Sequence, residues 1–485
     1  MRVTLIRYHD HGNVNTRLPA SLNARQGALP PLGLGYIASS LREHRHEVQI
    51  IDAIVENLSR EEVLGRIKAH CSELVGVTAM TPTFQGALEA AELGKQAGCK
   101  VVMGGVHMAI FARETLTYDC VDFGVVGEGE ETMIALCAAL EGDLPVDHIG
   151  GLAYRGSNGD VKINPGVLPK DLDLIPFPAF DLMPMEKYSS IIGLTPVSTI
   201  MGSRGCPYQC GFCYKTPSDK SYRRRSAKNI VDEIEHLIEQ HKVKEVMFYD
   251  DLMPPKYIKE LCNEIISRNV KIVWEVPQRV NLVDPDSLKL MHRAGCRMLR
   301  YGVEQGDPDM MQLVEKKTNI DQVRKVFKWT HDAGIDTFAY FIIGYIGETD
   351  KTMRATIDLA KELNPRYVMF TKATPLPATP LMASAIQQGY IDKRYWRDFV
   401  LGRRTDEIQP FVPDAAEWVK KAYREFYLRP SRIWKQLLYI RTWSDVRKSF
   451  SAFVGLILFR MTDKEDPSKI ASQGYQPEHV NQNAN

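Results

Sequence analysis

Three cysteines, Cys206, Cys210 and Cys213, lie in the run Gly205-Cys206-Pro207-Tyr208-Gln209-Cys210-Gly211-Phe212-Cys213-Tyr214, with the spacing C-x3-C-x2-C. Three thiolates this close cannot all belong to intrachain disulfides, and no fourth ligand is nearby. A cuboidal iron–sulfur cluster normally takes four thiolates. Three leave one iron open for a substrate or cofactor. Structural zinc needs four ligands, often as two C-x2-C pairs. Here the next histidines, His236 and His241, sit inside a charged helical stretch. Zinc, or no metal at all, is the rival reading of the triad.

The elements that must position this run are written in the alternation of apolar and polar residues. Over residues 1–142, short apolar strands at 3–6, 47–51, 74–77, 100–103 and 123–126 alternate with helices at 34–44, 61–70, 85–97 and a last one ending at 140. That alternation predicts an α/β domain with a doubly wound parallel sheet. Ligands on such sheets sit beyond the carboxyl ends of the strands, where the glycine and threonine turns fall. Residues 143–195 read as a hairpin, 151–155 with 161–164, and a proline-rich linker. Residues 196–380 alternate again, with six strands at 197–201, 245–249, 271–275, 298–302, 337–343 and 367–372. Six strand–helix units predict a partial barrel rather than a complete eightfold one. Residues 381–462 read as a helical cap and 463–485 as a disordered tail.

Composition narrows the class. The chain has 485 residues, and 61 basic against 60 acidic side chains argue against nucleic-acid binding. The six scattered cysteines read as reduced thiols of a cytoplasmic protein. The chain opens on a strand rather than a signal peptide. No apolar run is long enough to span a bilayer.

Further runs follow the cysteines in order: Tyr249-Asp250-Asp251 after the second barrel strand, Glu275 and Arg279 after the third, Tyr301-Gly302-Val303-Glu304-Gln305-Gly306 at the fourth, and Gly344-Tyr345-Ile346-Gly347 after the fifth. With Phe212 before the last cysteine, this order resembles the radical SAM superfamily. The resemblance implies that Cys206, Cys210 and Cys213 hold a 4Fe–4S cluster whose open iron chelates S-adenosylmethionine. It implies that Asp250 and Asp251 meet the methionyl amino group, that Glu304 lies near the nucleoside, and that Gly344 and Gly347 shape the adenine-contacting turn. Gln305 stands where the family usually has serine. The cofactor then supplies a 5′-deoxyadenosyl radical, and the protein supplies binding and orientation.

A doubly wound domain ahead of such a barrel resembles the cobalamin-binding subclass. The runs Pro30-Pro31-Leu32-Gly33-Leu34-Gly35-Tyr36, Gly76-Val77-Thr78-Ala79-Met80-Thr81, Gly104-Gly105-Val106-His107 and Gly127-Glu128-Gly129-Glu130 carry that resemblance. Small residues let a flat corrinoid lie against strand ends. Thr78, Thr81, Gly105 and Gly127 are the implied contacts, with His107 as a nearby donor. No D-x-H-x-x-G motif is present, so the resemblance is to members that bind cobalamin without a lower histidine ligand. A flavodoxin-like domain with no corrinoid is the alternative.

The expected activity is methylation of an unactivated carbon of a small-molecule or lipid substrate, with an electron donor such as flavodoxin or ferredoxin. Oxidative ring closure by the same cofactors, and a sensor without turnover, are the alternatives. Near the C-terminus, the apolar run 452–459, flanked by Arg441, Arg447, Lys448 and Arg460, reads as part of the barrel cap or as a membrane-surface patch. Trp396, Trp418, Trp434 and Trp443 suggest an aromatic-rich cap or cavity, or simply core packing.

Overall fold

The computed structural model describes residues 1–432 apart from 10–27, 143, 191–193, 216–220 and 405. The first sheet contains β1 (Arg2–Arg7), β2 (Glu47–Asp52), β3 (Leu74–Thr78), β4 (Lys100–Gly104) and β5 (Phe123–Val125). They run parallel in the order β2-β1-β3-β4-β5. Val3, Leu5, Ile6, Val75, Val101 and Val102 are all buried, because helices cover both faces of the sheet. The helices Leu32–Glu43 and Glu130–Glu141 pack on one face, and Arg60–Ala69 and Phe84–Gln96 on the other. The strand order reverses between β1 and β3, which makes the carboxyl ends there the natural ligand crevice. The expected hairpin, β6 (Leu152–Arg155) with β7 (Val161–Ile163), extends this sheet antiparallel from β5 rather than standing apart.

The second half begins with β8 (Val197–Ile200) and a short antiparallel ladder of β9 (Ser203–Arg204) with β10 (Arg223–Arg224). Then come β11 (Glu245–Phe248), β12 (Val273–Gln278), β13 (Cys296–Glu304), β14 (Asp336–Ile343) and β15 (Tyr367–Lys372). Six of these strands form one parallel sheet in the order β15-β14-β13-β12-β11-β8, the expected partial barrel. The intervening helices start on capping side chains: Ser226, Asp284, Asn319 and Thr349 each accept from a backbone N–H of the first turn.

Strand alternation divides the barrel residues into two sets. Val246, Phe248, Trp274, Val276, Leu299 and Tyr301 join the core shared with the helices. Glu245, Met247, Glu275, Met298, Arg300 and Phe338 occupy the opposite face. Glu275 is therefore a mid-strand residue, not one that follows the third strand. Glu and Pro at 275 and 277 look like strand breakers, yet β12 runs on to Gln278.

β15 is an edge of the barrel sheet, and the helix Ala415–Tyr427 closes it. Val368 N–H donates to the Tyr427 hydroxyl at 3.0 Å and Phe370 N–H to the Tyr423 hydroxyl at 3.1 Å. Two phenols thus occupy the donors that a seventh strand would have taken. The helix Tyr395–Val400 packs on the first domain, where Tyr118 Oη donates to Val400 O at 2.6 Å. Trp396 belongs to that interface, and Trp418 lies on the edge-closing helix. Trp434, Trp443, the run 452–459 with its basic flanks, and the tail lie outside the described residues. Among the described residues no helix is long and apolar enough to cross a membrane.

Glu245, at the start of β11, is buried and accepts from Ser190 Oγ at 2.8 Å and Leu194 N at 3.2 Å. Burial, with a smaller push from Glu275, raises its carboxyl from an ordinary 4.5 to about 7. A raised acid stabilises the fold when protonated, so its contribution is full below the ordinary value and lost as pH rises through the folded one. Glu245→Gln keeps a carbonyl acceptor and cannot ionise. Its melting temperature is expected to fall less steeply than the parent's between about pH 4.5 and 7; equal slopes would refute the raised value.

Candidate active site

The cysteines follow β9 and precede β10 in the chain, in a loop that begins at Gly205. Its base is tied to the end of β11. Buried Asp250 accepts from Gly202 N at 2.9 Å and from the Ser203 hydroxyl. Burial raises the Asp250 carboxyl to about 7 despite these donors. Further along the loop, Gly211 donates to Val314 O at 3.0 Å and accepts from Leu381 N at 2.7 Å. Phe212 packs against the cluster of Met310, Val314, Tyr345 and Leu381. Cys206 and Cys210 are buried and Cys213 is half-buried. Burial, and the neighbouring Cys210 and Cys206, hold the Cys213 thiol above its ordinary value. Among the described residues no three His, Cys, Asp or Glu side chains are gathered closely enough for a single ion. A cuboidal cluster spreads its thiolates wider than one ion does, and these thiols are the soft donor set it requires.

The barrel strand ends converge on this loop. Arg279, buried just past β12, donates from Nη1 to Cys210 Sγ at 3.4 Å and from Nη2 to Lys316 O. Its guanidinium lies 3.7 Å from the Tyr208 ring centroid. Glu304 ends β13 and pairs with Lys316 Nζ at 2.5 Å, and the same ammonium donates to Gly302 O at 2.7 Å. Lys316 escaped the sequence reading because Glu315-Lys316-Lys317 looks like an ordinary solvated charge run. In the turn after β14, Gly344 and Gly347 both have positive φ, +77° and +85°. A side chain on Gly344 would meet Ala415 Cβ at 2.5 Å, while the Tyr345 hydroxyl borders Gly211. Glu348 closes this turn by accepting from Tyr345 N at 2.8 Å, and burial raises its carboxyl to about 7.

Two expected contacts sit differently from the rest. Glu275 forms a two-point pair with Arg300, at 2.7 and 3.0 Å, deep on the inner barrel face. Asp251 is exposed and lies 3.8 Å from Lys215 Nζ, whereas Asp250 is committed to the loop base.

At the first domain, Thr78, Gly105 and Gly127 lie at or just beyond the carboxyl ends of β3, β4 and β5. Gly105 has φ +91°, and a Cβ there would meet Ala79 O at 2.5 Å. Gly127 has φ +105°, and a Cβ there would project into open space. Met80 and Val106, beside these turns, are 54% and 41% exposed. Room over Gly127, and exposed apolar side chains beside the β3 and β4 turns, fit the flat corrinoid expected at these strand ends. His107 does not join that surface. It is fully buried, stacked on Phe84 at 4.2 Å, with Nδ1 3.1 Å from Thr81 Oγ1 and Nε2 2.9 Å from Thr115 Oγ1. Burial pushes its imidazole down to about 3, so it stays neutral and braces the turn from within, with Thr81 as its partner.

The two halves meet directly at the cysteine loop. Arg204 Nη1 reaches Glu128 Oε2 at 2.7 Å and its Nη2 reaches Glu130 Oε1 at 2.6 Å. Arg223 pairs with both oxygens of Glu128 and donates to Pro169 O at 2.8 Å. Burial alone would raise the Glu128 carboxyl, but Arg223 and Arg204 hold it below its ordinary value. Sequence reading took Gly127-Glu128-Gly129-Glu130 only as a ligand-side turn; two arginines far away in the chain gave no signal that they would meet it.

Comparison with known proteins agrees with this two-part construction. A B12 binding domain model matches residues 21–137 and a radical SAM superfamily model matches residues 200–360. An uncharacterized methyltransferase of Pyrococcus horikoshii is 33% identical over 416 residues, covering 84% of this chain and 90% of that protein. An anaerobic magnesium-protoporphyrin IX monomethyl ester cyclase of Rubrivivax gelatinosus is 32% identical over 418 residues, covering 83% and 74%. The fold is similar to that of the cobalamin-dependent S-adenosylmethionine radical enzyme OxsB, with a TM-score of 0.72 at 17% identity, covering 97% of this chain and 74% of that one.

Replacing Cys206, Cys210 or Cys213 singly by alanine is expected to abolish the visible absorption of an anaerobically reconstituted cluster while leaving the far-ultraviolet circular dichroism unchanged. Full iron and sulfide content in any of the three variants would remove that cysteine from the ligand set.

Proposed function

We propose that this chain, which belongs to the cobalamin-dependent radical SAM family, transfers a methyl group to an unactivated carbon of a small-molecule substrate. The 4Fe–4S cluster, S-adenosylmethionine and cobalamin together would supply a radical that abstracts a hydrogen atom from carbon, and a transferable methyl group. The chain's own residues do the rest. Cys206, Cys210 and Cys213 hold the cluster. Arg279 places a guanidinium against Cys210, where it steadies negative charge on the sulfur. Glu304 and the ammonium of Lys316 form a polar edge suited to a nucleoside, with the Gly344–Gly347 turn behind it. Asp251, exposed beside the loop, is the carboxylate available to a methionyl ammonium. Thr78, Gly105 and Gly127 leave the first domain's strand ends open to a flat macrocycle.

The observation that carries this reading is proximity. Glu128, adjacent to Gly127, is bonded to Arg204 and Arg223, the two residues that close the cysteine loop. A group seated over Gly127 and a group held by the three thiols therefore share one interface, as transfer between them requires. The substrate's place is the inner face of the barrel. Its floor is sealed by Glu275, Met298, Arg300 and Phe338, and above it Pro277, Tyr340, Ile342 and Met369 are half-exposed.

Ring closure is the second reading, favoured by the 32% identity to the Rubrivivax gelatinosus cyclase. Product analysis separates the two. The reconstituted, reduced chain loaded with hydroxocobalamin is expected to release both 5′-deoxyadenosine and S-adenosylhomocysteine, the latter only when the corrinoid is present. Deoxyadenosine without homocysteine would transfer the assignment to ring closure. Neither product would refute turnover of either kind.

A further inference from the structure

The fork on Glu128 is more than a domain contact. Arg204 and Arg223 are directly opposite each other in the β9–β10 ladder, the two-stranded pairing that brackets the cysteines in the chain. Both guanidinium groups converge on the same carboxylate, and Arg204 adds Glu130 in the first helical turn beyond. All four side chains are well buried, with Arg204 and Arg223 only 14% and 12% exposed and Glu128 and Glu130 19% and 9%. A buried charge cluster of this kind gives little net stability over an apolar one; its distinctive property is a fixed geometry. Two-point arginine–carboxylate bonds define both a distance and a plane. Apolar packing would hold the halves together as well but would let the loop slide.

The chain positions of these groups give the fork its meaning. Arg204 is two residues before Cys206, and Glu128 is one residue after Gly127. A rigid unit of a few bonds thus joins the first thiol of the triad to the open space at the strand end of β5. Tyr36 reinforces it from the helix Leu32–Glu43. Its ring lies 5.4 Å from the Arg204 guanidinium, and its hydroxyl is 3.3 Å from Arg225 Nη1.

We propose that Glu128 is a positioning residue that sets the distance and orientation between the cysteine loop and the ligand face of the first domain, acting through Arg204 and Arg223. Its carboxylate is taken up by the two arginines. The inference rests on reading those two places as the cluster and corrinoid sites, but not on methylation as the reaction. Glu128→Gln is nearly isosteric and keeps one carbonyl acceptor, so it loses the doubly accepting carboxylate without emptying the space. Arg223→Lys keeps the charge and gives up the fork, and it serves as the milder second variant.

The direct test is a pulsed electron–electron distance measurement between the reduced cluster and cob(II)alamin in the reconstituted full-length chain. The parent is expected to give one narrow distance distribution. Glu128→Gln is expected to broaden or shift it at unchanged iron and cobalamin content, with Arg223→Lys intermediate. Misplacement of this kind costs up to about a hundredfold in rate. The yield of S-adenosylhomocysteine relative to 5′-deoxyadenosine is then expected to fall at least about tenfold, because radical formation needs only the barrel side. An unchanged distribution in both variants would overturn the proposal. So would failure of the parent to bind cobalamin, seen as a missing corrinoid spectrum. If the parent makes no homocysteine but the distance still depends on Glu128, methylation fails and the positioning role stands.

Discussion

The Glu128 carboxylate accepts from two guanidinium groups that project from opposite strands of one short ladder, and a second carboxylate, Glu130, balances the charge. Two cations and two anions out of water cost several kcal/mol per ion before their attraction is counted. The attraction offsets that cost only if every bond is made at once. Removing one member leaves an uncompensated buried charge, at about 3–5 kcal/mol. Docking of the halves is therefore closer to all-or-none than to a sliding contact. The second buried pair at this seam, Arg225 with Glu233, obeys the same logic, and Tyr36 stands between the two arginines. The remaining geometry of the active region, from loop base to strand ends, is referred to this seam.

The barrel uses alternation to put its two kinds of residue where each is stable. Trp274 and Val276 reach the helices, while Glu275, between them, meets Arg300 of the next strand and, through it, the Tyr340 hydroxyl at 3.1 Å. Arg300 also lies 5.0 Å from the Phe338 ring centroid. A buried charged pair on the inner barrel face resists collapse onto apolar neighbours, because neither ion can be left unpaired. Tyr340 is the member of this layer that reaches the half-exposed level above.

Much of this was legible in the chain. The cysteine spacing, the alternation of strands and helices, and the order of the strand-end motifs are local patterns, and local patterns survive in a single sequence. Contacts between distant positions do not. Nothing in Trp274-Glu275-Val276 says that its acid will meet Arg300, and nothing in Gly104-Gly105-Val106-His107 says that the histidine turns inward to Thr81 and Thr115. Asp250 and Asp251 are neighbours with one motif reading between them, yet the turn after β11 sends the first into the loop base and leaves the second exposed. Lys316 was hidden by its company, since a lysine flanked by Glu315 and Lys317 has no signature of burial.

That lysine explains an otherwise costly backbone. Glu304 has φ +71°, and Glu315 and Lys317 have +52° and +57°. Left-handed conformations of non-glycine residues cost about 1–3 kcal/mol each and persist only where the surroundings over-determine them. Here they do. The register of β13 against β14 shifts between Gly302 and Glu304, which turns the Glu304 carboxylate back along the strand. A Cβ on Gly302 would displace both Glu304 Oε1 and Lys316 Nζ from where they meet. The ammonium then bridges the Gly302 carbonyl and the Glu304 carboxylate. Its own backbone carbonyl takes the second arm of Arg279, whose first arm rests on Cys210. The strain in 304–317 is thus tied, bond by bond, to a thiol of the triad. A relaxed backbone at Glu304 would withdraw the carboxylate, leave the Lys316 ammonium buried with one acceptor, and loosen the carbonyl that orients Arg279. Strain at the strand end and order at the cysteine loop are two ends of one chain of contacts.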